Sequence, residues 1–306
     1  MQWLQALRQR LPQHKYAIDA AVLGDHAQLP WSNLGYWQAG QQDYAAACRM
    51  LADHLAQTVN LNSKDKLLDL GCGQGASLLH WQQHYQVQYL AGVELQAACV
   101  ANIQQHLPEL NAIYQASFLR LKELLFSQRF DVVLCLDAAY HSPVPVFLEQ
   151  VRSVLNSNAR IGFHHLVLSE RWENLNALQR RKYQFFLKSA DVNLKDLMTV
   201  GALYACLDRF EFKNIQIQDL SEPVFSGFAD YVQKTLNSKA SDDQAQGSKL
   251  DHFKIQMTAK LCRKLYQEGI MRYVQVTAQS KHSKVQEDSA ENTKTQKHQS
   301  LTKKRG

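Results

Sequence analysis

Short apolar runs of strand length alternate with helical patterns through most of the 306-residue chain. Helical patterns show apolar residues on one face, as in 43–59 with Tyr44, Leu51 and Leu55. Parallel strands need a helix-length crossover between them, so the alternation predicts an α/β fold with a doubly wound, mostly parallel sheet. The predicted strands are KLLDL (66–70), VQYLAGVE (87–94), NAIYQA (111–116), DVVLCLD (131–137), ARIGFHHLVL (159–168), FKNIQIQDL (212–220) and MRYVQVTAQ (271–279).

Two segments depart from this alternation. Residues 169–207 are long enough for two or three helices, and their first part mixes aromatic with basic residues. Two interpretations stay open: a helical cap insertion that roofs a substrate pocket, or a packed surface helix. Residues 237–249 are polar and predict a loop, and residues 281–306 are charged, almost without apolar anchors, and predict a disordered basic tail.

Composition fits a globular protein with a substantial core, since 45% of the residues are hydrophobic. The formal net charge is +6, but residues 281–306 hold seven Lys/Arg against three Asp/Glu, so about +4 of it belongs to the tail. The remaining body is near +2 and does not favour a nucleic-acid partner.

Cysteine spacing and hydropathy bear on the compartment. The six cysteines form no CxxC pair, and several fall in apolar runs, which favours buried free thiols in a reducing cytoplasm. The N-terminus has Trp3, Leu4, Leu7 and Leu11 at helical spacing but lacks the unbroken apolar core of a signal peptide. No stretch of 18 apolar residues follows, so we expect neither secretion nor a membrane span, and a cytoplasmic location.

The most informative stretch is LLDLGCGQG (67–75), which leads from a predicted strand into a glycine-rich turn and then a helical pattern. Gly71, Gly73 and Gly75 permit a tight turn and let a ligand approach the backbone. The amides at the start of the following helix favour a negative group of that ligand. Gly71, Gly73 and Ala76 also satisfy the dinucleotide pattern G-x-G-x-x-A, so a nicotinamide cofactor is an alternative.

Two acids around the turn narrow the choice of cofactor. Asp69, two positions before the first glycine, would repel a pyrophosphate but attract the ammonium group of an amino acid. Glu94 ends the next predicted strand, where a carboxylate can accept hydrogen bonds from both ribose hydroxyls. The pair favours a cofactor that carries both a nucleoside and a free amino acid.

DLGCGQG followed by GVE resembles the first two motifs of class I S-adenosylmethionine-dependent methyltransferases. The strand order over about 40–280 is similar to the family's seven-stranded Rossmann-like sheet with its closing antiparallel strand. The resemblance implies S-adenosyl-L-methionine as the cofactor, with Asp69, Gly71, Gly73 and Gly75 lining its methionine and Glu94 holding its ribose. We therefore divide the chain into a helical segment covering the cofactor (1–40), a methyltransferase domain (41–280, with the insertion 169–207) and the tail (281–306).

The adenine contact departs from the family pattern. Ser117 occupies the place where the family usually has an acid, which leaves Ser117 or Phe118 as the candidate. A finer resemblance comes from WSNLGYW (31–37), which is similar to the segment before the fold in the tocopherol, sterol and cyclopropane fatty acid synthase type. Tyr36 is thereby a candidate to cover the sulfonium. Alternatively, Trp31, Tyr36 and Trp37 only pin the N-terminal segment onto the domain.

Ligands in open α/β sheets bind outside the carboxyl ends of the strands, which points to the loop DAAYHSP (137–143) as the place of methyl delivery. Its leading candidates are Asp137, Tyr140 and His141. His141 suits a general base at neutral pH, or only hydrogen-bonds the loop or the substrate. His164 and His165 point to opposite faces of the fifth strand, which favours satisfied core histidines over a role in the cleft.

Several functions compete at this stage. We expect methyl transfer to a small-molecule or lipid-like acceptor, at oxygen or carbon, with a nicotinamide-dependent oxidoreductase or a non-catalytic S-adenosylmethionine-binding protein as alternatives. Nucleic acid is disfavoured because the fourth strand ends in DAAY rather than Asn/Asp-Pro-Pro-Tyr. The spacing of His80 and His84 resembles a metal site but lacks the accompanying Glu, so we expect no metal.

Overall fold

The computed structural model describes residues 19–239 and 249–281. The expected N-terminal helix at 3–11, most of the polar segment 237–249 and the tail from 282 onward lie outside that part of the chain. The cofactor-covering segment is therefore described only from residue 19, where it forms a short 3-10 helix, Ala20–Leu23.

All seven predicted strands are present, together with one further strand of two residues. The strands are β1 Lys66–Leu70, β2 Tyr89–Glu94, β3 Ala112–Gln115, β4 Phe130–Cys135, β5 Leu155–Leu168, β6 Met198–Thr199, β7 Phe212–Asp219 and β8 Met271–Ser280. The seven longer strands form one sheet in the order β3-β2-β1-β4-β5-β8-β7. Strand β8 runs antiparallel to both of its neighbours, while β3, β2, β1, β4 and β5 are parallel. The expected mostly parallel sheet with a closing antiparallel strand is confirmed.

Helices cover both faces of the sheet, as the doubly wound arrangement requires. The α-helices within the described ranges are α1 Tyr44–Thr58, α2 Ala76–His80, α3 Ala97–His106, α4 Val144–Val154, α5 Ala177–Ser189, α6 Val200–Arg209, α7 Gly227–Lys239 and α8 Lys249–Glu268. Helix α2 continues as a π-helical turn, Trp81–Tyr85, and a second π-helical turn, Glu222–Ser226, leads into α7.

The core has two layers, one on each face of the sheet. Leu67 of β1 faces the layer that contains α1, α2, α7 and α8, whereas its neighbour Leu68 faces the layer of α4 and α6. This alternation follows from the two-residue period of a strand. All six cysteines are buried free thiols. No helix in the described part of the chain combines the length and apolar character needed to cross a bilayer.

The segment 169–207 divides into two parts. Its first part contains α5, whose Tyr183 and Leu187 are buried in the core. Its second part leads through β6, a two-residue strand beside the end of β5, into α6, which buries Leu203 and Leu207 against the sheet. Helix α6 is thus the ordinary crossover to β7, and only the part before it stands apart from the regular alternation.

Candidate active site

The glycine loop joins the end of β1 to α2 at the carboxyl edge of the sheet, where the strand order reverses between β1 and β4. Gly71, Gly73 and Gly75 all have left-handed backbones, with φ of 69°, 54° and 95°. A Cβ at Gly71 would lie 3.0 Å from the Ala138 Cβ, and one at Gly73 would lie 3.0 Å from the Ser32 Oγ. The loop is therefore a narrow cradle between the turn after β4 and the N-terminal segment.

Asp69 lies directly beneath this cradle and is fully buried. Its Oδ2 accepts a hydrogen bond from the Trp81 indole N–H at 2.8 Å, while its Oδ1 has no hydrogen-bond partner among the described residues. Burial raises the pKa of Asp69 to about 6, although the Trp81 hydrogen bond and the nearby Ser77 hydroxyl, which forms no hydrogen bond with Oδ1, favour the ionised form. A cation that binds beside this buried carboxylate would stabilise its ionised form.

Glu94 brings a second carboxylate to the cradle from the end of β2. Its Oε2 accepts the Gly73 N–H at 3.0 Å and its Oε1 accepts the Gln96 N–H at 2.9 Å. The side chain is buried, and its charge contributes to the raised pKa of Asp69. The structure thus places both sequence-predicted acids at the glycine loop.

The candidates for the adenine contact separate. The Ser117 Oγ accepts the Leu119 N–H at 3.2 Å and caps the 3-10 helix Phe118–Glu123. The Phe118 ring approaches within 3.6 Å of the position that a Gly71 Cβ would occupy. Phe118 therefore lines the cradle, while the Ser117 hydroxyl is engaged in helix capping.

The segment 31–37 lies across the cradle and is fixed by its tryptophans. The backbone N–H of Trp31 donates to Asp25 Oδ2 at 2.8 Å, and the Trp37 ring stacks on Tyr231 with ring centres 4.3 Å apart. Both indoles are buried, which agrees with a pinning role for these two residues. Ser32, which sequence reasoning missed, is brought beside Gly73. Its only signal in the sequence is its place within WSNLGYW.

Tyr36 packs differently from the two tryptophans. Its N–H donates to the Ala47 carbonyl at 2.8 Å, and its half-buried ring stacks on His54 with ring centres 5.3 Å apart. This contact fixes one face of the Tyr36 ring. A role in covering the sulfonium stays a prediction.

Asp137 connects three parts of the site. Its Oδ2 accepts the Leu34 N–H and its Oδ1 accepts the Tyr273 hydroxyl, both at 2.9 Å. Its own N–H donates to His164 Nδ1 at 3.3 Å, and its φ of 53° is left-handed. Burial raises the pKa of Asp137 to about 6 in spite of these hydrogen bonds. Asp137 thereby ties the N-terminal segment to β5 and β8.

Tyr140 and His141 lie in the 3-10 turn Ala139–His141 that follows, with ring centres 4.5 Å apart. Burial raises the pKa of the Tyr140 phenol well above its usual value, so this group is neutral at physiological pH. The His141 Nδ1 lies 3.0 Å from the Asp191 carbonyl oxygen. Because a carbonyl only accepts, Nδ1 carries the proton in neutral His141, and Nε2 holds the lone pair that a general base needs.

His164 and His165 are buried on opposite faces of β5, as the strand period predicts. His164 is satisfied by Asp137 and by Gln275, whose Oε1 lies 3.4 Å from Nε2. The prediction of a satisfied core histidine is wrong for His165, whose ring nitrogens have no hydrogen-bond partner in the described part of the chain. Burial lowers the pKa values to about 3 for His164 and about 4 for His165, so both are neutral.

Metal binding gains no support from the described residues, which contain no group of three or more His, Cys, Asp or Glu able to hold an ion. His80 is instead engaged with Asp53, whose Oδ1 lies 2.7 Å from Nε2. The Tyr85 hydroxyl donates to the same oxygen at 2.9 Å. The contact with Asp53 gives His80 a structural role between α1 and α2.

Comparison with known proteins identifies a methyltransferase domain over residues 67–158. Erythromycin 3''-O-methyltransferase of Saccharopolyspora erythraea is 28% identical over 137 residues, which cover 44% of each chain. The match thus spans less than half of the length of this relative.

Solved structures resemble the chain over a greater length. A mycolic acid cyclopropane synthase complexed with SAH and CTAB has a TM-score of 0.69 at 16% identity, covering 88% of this chain and 99% of the synthase. A cyclopropane synthase from Mycobacterium tuberculosis has a TM-score of 0.67 at 16% identity, covering 87% and 96%. The glycine cradle, the strand order and these matches confirm the resemblance drawn from DLGCGQG: the chain contains a methyltransferase domain and has the class I S-adenosylmethionine-dependent methyltransferase fold.

Proposed function

We propose that the protein transfers a methyl group from S-adenosyl-L-methionine to a small-molecule or lipid-like acceptor, at oxygen or carbon, and releases S-adenosylhomocysteine. The observation that carries this proposal is the buried Asp69 carboxylate, with one unpartnered oxygen beneath a glycine cradle at the switch point of the sheet. An ammonium group would satisfy that oxygen, whereas the phosphates of a dinucleotide would be repelled by it. When bound, the cofactor supplies an electrophilic methyl group on a positively charged sulfur.

The residues of the cradle fit the parts of this cofactor. Asp69 would attract the ammonium group, directly or through water. The hydroxyl of Ser32, beside Gly73, would donate a hydrogen bond to the carboxylate of the cofactor's methionine. Glu94 would accept hydrogen bonds from the ribose, and Phe118 would stack on the adenine. The residues that we propose to line the cofactor site are Ser32, Tyr36, Asp69, Gly71, Gly73, Gly75, Glu94, Ser117, Phe118 and Asp137.

The acceptor would lie beside the turn 139–141. His141 would act as the base for a hydroxyl or acidic carbon through Nε2, because its Nδ1 lies 3.0 Å from the Asp191 carbonyl oxygen and donates to it. Tyr140 is a neutral phenol and would orient the acceptor by a hydrogen bond. The names of the matched proteins include an antibiotic and a lipid as the molecules acted on, which supports the acceptor class.

Two measurements test the function. Titration calorimetry with S-adenosylmethionine and with NADH decides the cofactor, and we expect binding of the first alone. Incubation with methyl-labelled S-adenosylmethionine and fractionated cell extract, followed by mass spectrometry, then identifies the labelled product. Binding of NADH in place of S-adenosylmethionine would overturn the proposal, and tight binding without any labelled product would favour a non-catalytic binder.

His141→Gln tests the proposed base. Because removal of a general base costs about 10²–10⁴-fold, we expect kcat to fall by roughly that factor while the Kd for S-adenosylmethionine stays unchanged. His106→Gln is a matched control, since His106 Nδ1 also lies beside a backbone carbonyl, that of Asn102. His106 is the last residue of α3, whereas Glu94, beside the cradle, precedes the start of that helix. A His141→Gln enzyme with wild-type kcat would show that positioning alone suffices.

A further inference from the structure

Helix α5 exposes apolar side chains that the core does not require. Leu178 is 77% exposed and Phe185 is 72% exposed, while Tyr183 and Leu187 bury the opposite side of the helix. Positions 178, 182 and 185 follow helical spacing, so Leu178, Lys182 and Phe185 form one stripe along the surface. Large side chains in such a stripe indicate a contact beyond the chain's own core.

Helix α8 carries a second stripe of the same kind. Leu250, Phe253 and Met257 are exposed and recur at helical spacing, and the same face continues toward Lys264. The Lys264 Nζ lies 6.0 Å from the centre of the Tyr183 ring of α5. This contact places the α8 stripe beside α5, with a cavity of about 290 Å³ between the two helices.

The net charge of both helices is positive. Helix α5 contains four cationic and no acidic residues: Arg180, Arg181, Lys182 and Lys188. Helix α8 contains five cationic residues, and its two acids, Asp251 and Glu268, form ion pairs with Lys254 and Lys264. Exposed Phe and Leu flanked by Lys and Arg are typical of a helix that lies in the interface of a bilayer containing anionic lipids.

We propose that α5 and the first half of α8, hereafter the α5–α8 face, dock onto a bilayer bearing anionic lipids. Phe185, Leu178 and Phe253 would enter the headgroup region while the cations meet the lipid phosphates. The carbonyl of Asp191, just beyond α5, accepts from His141, so the docked face would lie beside the proposed acceptor site. Docking itself does not depend on methyl transfer, which allows it to be tested separately.

Cosedimentation of the full chain with vesicles tests the docking. We compare phosphatidylcholine vesicles with vesicles that also contain phosphatidylglycerol, and expect binding to the anionic vesicles that weakens with added salt. In the double variant Leu178→Ser with Phe185→Ser, affinity for the anionic vesicles should fall at least about tenfold. Equal binding of the wild type to both kinds of vesicle, or to neither, would overturn the proposal.

A matched control comes from the connection between β3 and β4. Leu125 is 94% exposed after β3, and Leu125→Ser should leave vesicle binding unchanged. Both variants should keep the wild-type affinity for S-adenosylmethionine, which shows that they fold. Equal losses of vesicle binding in both variants would contradict the proposal. The proposal would also be contradicted if the double variant bound vesicles normally but lost binding to RNA. The same holds if the double variant bound vesicles normally but changed from a dimer to a monomer.

Discussion

At the scale of single residues, Asp69 is where stability and ligand binding oppose each other. Its pKa of about 6, compared with 3.8 for a free side chain, means that the ionised form costs about 3 kcal/mol of folding free energy at neutral pH. Asp69→Asn removes the charge and keeps an acceptor for Trp81. We expect affinity for S-adenosylmethionine to fall at least about tenfold without loss of unfolding free energy. Calorimetry and urea denaturation measure the two quantities.

Asp65 provides the matched control for that variant. It is also buried at β1, but it forms an ion pair with Arg160. Asp65→Asn should therefore lose about 3 kcal/mol of unfolding free energy and keep the cofactor affinity. If Asp69→Asn instead behaved like Asp65→Asn, Asp69 would be a structural residue.

The raised pKa of Asp69 predicts opposite pH dependences for stability and binding. A raised folded-state pKa favours the protonated fold, so this stabilising contribution is complete below the unfolded pKa of 3.8 and is lost as pH rises through about 6. Binding of an ammonium group needs the ionised form, so cofactor affinity should fall as pH drops through about 6. The difference between wild type and Asp69→Asn isolates both trends, and parallel trends would contradict the assignment.

At the scale of elements, the N-terminal segment depends on a glycine that is distant in sequence. A Cβ at Gly227, at the start of α7, would overlap the Trp37 side chain. We expect Gly227→Ala to displace segment 31–37, to weaken cofactor binding and to lower the unfolding free energy by about 1–3 kcal/mol. Thermal denaturation and calorimetry check these effects.

Gly201→Ala is the control within a similar helix. Gly201 lies near the start of α6, and apart from its chain neighbours and the backbone of its own helix no atom lies within 4 Å of the added Cβ. This variant should gain about 0.5–1 kcal/mol and keep its cofactor affinity. Equal effects of the two substitutions would show that Trp37 does not control the segment.

The predicted elements agree with the structure where the hydrophobic period is strong, and differ where tertiary contacts determine the element. The strand KLLDL was placed with its observed bounds because apolar residues end abruptly at the glycine turn. Strand β6 has only two residues, too few for a period, and exists through its pairing with Val167 and Leu168. Helix α6 was grouped with the cap segment because its sequence does not say which surface its apolar face covers.

At the scale of the whole molecule, β8 is the last strand of the sheet along the described part of the chain. Lys281 follows it and donates its N–H to the Glu211 carbonyl at 2.8 Å. We expect a chain truncated after Lys281 to retain cofactor affinity and turnover, because the cradle and the turn 139–141 are left intact. A chain truncated after Tyr273, which loses most of β8, should not fold. Circular dichroism and the labelled-methyl assay measure both, and inactivity of a folded longer truncation would contradict this prediction.

The alternating elements, the glycine turn and the two acids beside it could be predicted from the sequence, because they depend on local spacing and backbone freedom. The contact of Ser32 with Gly73, the bridge that Asp137 forms between Leu34 and Tyr273, and the unpartnered oxygen of Asp69 emerge only in the folded chain. Each of these contacts joins residues far apart in the chain or depends on which groups surround a buried atom. Such distances are set by how the layers pack on the sheet, and hydrophobic spacing does not encode them.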